Sequence, residues 1–131
     1  MRYDEFIASV RDRGEYATAQ EAEQVTVAVL KVLASRLTAA EAKDLAAQLP
    51  GPLGDALGEI RQEGQAESFG IQEFCRRIAE LTGARPRTAE WDAGAVLSTL
   101  ADTVSGGELN QILSQLPSGY ADLFGKPELS Q

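Results

Sequence analysis

The sequence predicts an all-α fold. Three observations point to it: a composition dominated by alanine and leucine, apolar residues recurring at helical spacing, and two hydroxyl-x-x-Glu signatures placed just ahead of apolar runs. Hydrophobic residues make up 44% of the chain but aromatics only 6%. That balance suits packed helices better than a β-sandwich, which draws on Val, Ile, Thr and aromatics. At 131 residues the chain has the size of one ordinary domain.

The elements follow in order. Tyr3, Phe6, Ile7 and Val10 form the i, i+3, i+4, i+7 stripe of a first amphipathic helix. A second helix is expected from about Gln20 to Leu37. Its middle, VTVAVLKVLA, is apolar on most sides, so other helices should surround it. Thr38-Ala39-Ala40-Glu41 fits a capping box at the start of a third helix, with the hydroxyl on the N3 amide and the Glu reaching back. Ala42, Leu45, Ala46 and Leu49 continue its stripe, and Pro50 ends it, because the residue before a proline is pushed out of the α region. A short fourth helix brings Leu53 and Leu57 inward and can extend into the polar connection over residues 58–69.

The same series then runs again. Ile71, Phe74, Cys75 and Ile78 form the fifth stripe, and a sixth helix is expected from about Thr88 to Val104. Ser105-Gly106-Gly107-Glu108 fits a second capping box, followed by Leu109, Ile112, Leu113 and Leu116 and stopped at Pro117. Tyr120 and Phe124 close the series, and the tail after Gly125 is expected to fray. With residues 22–57 laid over 89–124, Ala28-Val29-Leu30 meets Ala95-Val96-Leu97, and Gln48-Leu49-Pro50 meets Gln115-Leu116-Pro117. At a shift one residue larger, Glu5-Phe6 meets Glu73-Phe74. The expected architecture is therefore about eight helices in two tandem, internally duplicated four-helix units (residues 3–57 and 70–124) packed together as a single domain.

Composition also bounds function. The formal charge of −8 argues against a nucleic-acid partner, which calls for a basic face. Histidine is absent, which removes imidazole-based triads, Cys–His dyads and the commonest zinc sites. The lone Cys75 forms no internal disulfide and implies no oxidising compartment. No apolar run approaches the ~20 residues of a membrane span, and the N-terminal residues do not resemble a signal peptide. A cytoplasmic location follows as the expectation, with no cofactor.

The run from Ala95 to Phe124, AVLSTLADTVSGGELNQILSQLPSGYADLF, resembles the C-terminal signature of the bacterial domain-of-unknown-function 2267 family. YDEFIASV near the N-terminus and Ala28 to Pro50 fit the same family, so the likeness covers about residues 3–124. The resemblance implies an all-helical fold and transfers no activity and no site residue.

Candidate sites come from the residues alone. Arg76, Arg77, Arg85 and Arg87 are the one basic cluster and a candidate patch for an anion or an acidic partner. Glu73 and Glu80 stand four residues from Arg77 and Arg76, however, and such surface pairs are worth a few tenths of a kcal/mol. Trp91, the only tryptophan, has no counterpart in the first unit and is a candidate interface anchor. Cys75 lies on an apolar stripe and should pack as a small hydrophobe. Asp55 and Asp122 match across the units but lack a second carboxylate at a defined spacing. Ser105 to Glu108 is better explained as a helix cap than as an anion site, since Glu108 opposes anions. The expected function is a non-enzymatic protein-interaction or regulatory module, its partner another protein or a second copy. The alternative is a small-molecule or anion-binding protein with its site between the units.

Overall fold

A computed structural model describes residues 1–60, 67–117 and 119–125. Among the described residues it contains eight α-helices: α1 (Tyr3–Gly14), α2 (Ala19–Ala34), α3 (Ala39–Ala47), α4 (Gly51–Ile60), α5 (Ile71–Thr82), α6 (Pro86–Thr103), α7 (Gly106–Ser114) and α8 (Tyr120–Leu123). No strand is present among the described residues. The polar stretch 61–66 and the tail after Gly125 lie outside them.

The longest helices, α2 and α6, form the middle of the molecule and touch each other. Each is flanked by both α1 and α5, while α4 packs on α2 and α8 on α6. Helix α2 buries residues on most sides, including Ala22, Val25, Val29, Leu30 and Leu33, which is why its apolar middle needs no amphipathic pattern. The buried side chains of all eight helices form one contiguous cluster. Phe6 and Phe74, at matching places on α1 and α5, are both fully buried. Phe74 meets Tyr120 edge to face with ring centres 5.1 Å apart.

Local chemistry sets the helix ends. Thr38 Oγ1 accepts from the Glu41 amide at 3.1 Å, and Glu41 accepts from the Thr38 amide at 2.8 Å, completing the expected box. The second box is only half formed. Ser105 Oγ accepts from the Glu108 amide at 3.1 Å, but the Ser105 amide donates to Gln48 Oε1 at 2.7 Å. Glu108 lies against Asp44 and Glu41 of α3, and burial and these two like charges raise its pKa. The neutral amide of Gln48, at the end of α3, replaces it as acceptor and ties α3 to α7. Helix α4 is longer than a closing turn: Pro52 sits in its first turn, where the missing N–H costs nothing, and the helix continues into the connection. At Gly54 an added Cβ would lie 2.6 Å from the Ala46 carbonyl, so α4 crosses α3 where only glycine fits.

Candidate functional site

Among the described residues, the four arginines of the basic cluster fall into two groups, one paired with carboxylates and one not. Arg76 holds Glu73 with two nitrogens, at 2.8 and 2.6 Å, and Glu80 at 2.6 Å. Arg77 donates to Glu73 at 2.8 Å and to Glu67 at 3.0 Å, and its guanidinium lies 4.1 Å from the centre of the Phe69 ring. Glu73 is pulled down to a pKa of about 2 by the hydrogen bonds from Arg76 and then Arg77. These two cations are thus matched by carboxylates on the outside of α5. Arg85 and Arg87 are exposed at the start of α6, with no ion pair among the described residues.

Arg87 instead joins Trp91. Trp91 is 53% exposed, yet its indole is fixed: Nε1 donates to the Gly14 carbonyl at 3.0 Å. That carbonyl is available because α1 ends there, in a left-handed Glu15 (φ 57°). A Cβ at Gly14 would fall 2.1 Å from the Tyr16 ring, so any side chain there would displace Tyr16. Beside the indole runs a groove of about 480 Å³ whose floor is Gly94, Ala95 and Ser98 of α6, with Arg13, Arg87 and Glu90 around it. Arg13 is held in an ion pair with Asp102, one α6 turn beyond Ser98. The site is a shallow, mainly apolar trough along α6, with one rigid aromatic wall and cations near both ends.

Two buried polar arrangements were not among the sequence-based candidates. Asp92 is 4% exposed and accepts a 2.6 Å hydrogen bond from the Tyr16 hydroxyl. Burial pushes the Asp92 carboxyl up, more than the Tyr16 hydrogen bond lowers it, with Glu21 adding to the rise. The Tyr16 phenol is raised as well, first by burial and then by Asp92. Arg36 is 7% exposed and has no carboxylate partner among the described residues. Its guanidinium donates to the Glu67 carbonyl at 2.6 Å and the Gln115 carbonyl at 3.0 Å, and lies 5.4 Å and 5.8 Å from the Phe69 and Tyr120 ring centres. A signal for both existed in the alignment of the chain with itself. Asp92 stands opposite the apolar Val25, and Arg36 opposite Thr103, so each brings charge to a place where its counterpart is uncharged.

Cys75 is buried, with its thiol pKa raised by burial and then by Glu90, as expected of a packing residue. Asp55 and Asp122 are exposed, and their side chains make no hydrogen bond or ion pair among the described residues. No described helix is long and apolar enough to cross a membrane.

A search of curated proteins returns no match. The model of one family, described as an uncharacterized conserved protein (DUF2267), matches residues 3–123, nearly the whole all-helical fold including α1, Trp91 and the groove along α6. The chain belongs to the DUF2267 family.

Proposed function

We propose that this protein is a non-enzymatic interaction module whose binding face is the groove along α6, centred on Trp91. The exposed but immobilised indole carries the reading. A tryptophan left half in solvent gives up apolar burial worth roughly 2 kcal/mol, and its one polar atom is already bonded within the chain. What remains to be bound is the ring face. Held rigidly, it loses little conformational entropy when a partner covers it, the usual property of an interface anchor. The short side chains beside it allow another backbone to approach closely.

The same reading treats the chain as a duplicated unit, with residues 58–69 joining the two copies in one cytoplasmic domain. Its support is the matching arrangement of α1 with α2 and α5 with α6, and the matching cross-contacts of α1 with α6 and α2 with α5. On this view the first copy packs its α2 as scaffold, while the second, with Trp91 in place of Gln24, carries the binding face.

A photo-crosslinking residue at Ser98, expressed in the native host, tests the interaction. Adducts are expected from Ser98 and not from the same residue placed at Asp55, and Trp91→Ala should suppress them. Equal labelling from both positions, or none from Ser98, would refute it.

A further inference from the structure

We propose that the occupant of the α6 groove is a second copy of this chain, bound through a two-fold axis that passes over Gly94 and Ala95. The proposal rests on the interaction reading above and adds the identity of the partner. At 3.6 residues per turn, Arg87, Trp91, Gly94, Ser98 and Asp102 fall within an arc of about 80° on α6. Arg87, Trp91 and Asp102 on this arc are exposed and Gly94 and Ser98 half-buried, whereas Ala93, Val96, Leu97 and Leu100 face the core.

The arc is its own complement when reversed. Arg87 and Asp102 lie equally far from the point between Gly94 and Ala95, and so do Trp91 and Ser98. An antiparallel second α6 therefore brings Arg87 to the partner subunit's Asp102 and Trp91 to the partner subunit's Ser98. Two-fold symmetry repeats each contact. The two ion pairs would stand about 22 Å apart, the rise of fifteen helical residues.

The charges select this arrangement. Arg87 has no ion pair among the described residues. Asp102 is paired with Arg13 but keeps 54% of its side chain exposed, and a carboxylate can accept from a second guanidinium. A parallel pairing would instead set Arg87 against its own copy and Asp102 against its own. In a chain of net charge −8, self-association needs such local complementarity to overcome general repulsion. Steric room is present too: a Cβ added to Gly94 meets nothing within 4 Å, so its small size is not required by this chain's own packing. The partner's indole can rest over that open backbone. One helix face buries less than the roughly 1,200 Å² of a stable complex, so a reversible dimer of micromolar strength is the expected product.

Sedimentation velocity of the full chain over a wide concentration range tests this. A concentration-dependent monomer–dimer equilibrium is expected. Trp91→Ala, Arg87→Glu and Asp102→Arg should each weaken it at least about tenfold, since symmetry removes every contact twice. The double variant Arg87→Glu, Asp102→Arg should recover most of the loss, and circular dichroism should show every variant folded. A chain that is monomeric throughout, or a double variant no better than the singles, overturns the proposal. If a monomeric chain still yields Trp91-dependent adducts from Ser98 with a different protein, the homodimer fails and the interaction module stands.

Discussion

Two buried polar side chains carry the most testable consequences at the scale of single residues. Asp92 is an acid whose folded pKa is raised by burial, so between its ordinary value and the raised one the folded state holds more protons than the unfolded chain. Stability should therefore fall as pH rises through that window, and above it the folded chain carries the cost of the ionised form. Asparagine keeps an acceptor for the Tyr16 hydroxyl and cannot ionise. Asp92→Asn should melt at least as high as the parent at pH 7 and flatten the fall in melting temperature above pH 4; a clear loss at pH 7 would mean that the carboxylate itself stabilises the fold. Arg36 acts differently. It closes two carbonyls, one of them at the C-terminal end of α7, and its Nε finds no acceptor among the described residues. The arrangement is a cation set against one helix-end carbonyl, one carbonyl of the connection and two aromatic faces rather than a salt bridge. Arg36→Ala should cost about 1.5–3 kcal/mol in denaturant unfolding, the range for hydrogen bonds to charged groups.

Among the elements, α3 and α7 show how similar local signals diverge. Thr38 and Glu41 cap α3 reciprocally, as their spacing predicts. Ser105 caps α7 from the hydroxyl side only, and the other half of the box is completed by Gln48 from across the molecule. Thr38→Ala and Ser105→Ala should each cost roughly 1 kcal/mol, the usual value of a lost N-cap. Gln48→Ala should also destabilise, by about 0.5–1.5 kcal/mol, because it removes a tertiary hydrogen bond. A Gln48 variant with unchanged stability would show that the cross-link contributes nothing. Helix α5 teaches a related point. Its arginines read as a cluster in sequence, but their i, i+3 and i, i+4 carboxylates hold Arg76 and Arg77, leaving Arg87 on α6 available for a partner.

The whole molecule depends on α2 and α6, which touch each other and share α1 and α5 as flanking helices. Leu30 and Leu97 are at matching places on these two helices, and both are fully buried. Leu30→Ala and Leu97→Ala should each lose about 2–5 kcal/mol by equilibrium unfolding, and within about 1 kcal/mol of each other if their surroundings are alike. A strongly unequal pair would show that one half of the core packs more tightly. Because the buried side chains form one cluster, unfolding of either half should carry the other with it, in a single transition.

The sequence by itself determined the helical class, the order of the elements, most of their ends and the faces they bury. These depend on contacts three or four residues apart, on proline stops and on hydroxyl caps, all local physics. It also marked Trp91 as unusual and Cys75 as a packing residue. Only the tertiary structure decided that the Trp91 indole is pinned to the end of α1, that Asp92 meets Tyr16, and that Gln48 completes the cap of α7. Each of those contacts joins groups more than fifty residues apart, through side chains whose directions are set by how whole helices cross, and no periodicity along the chain records that crossing.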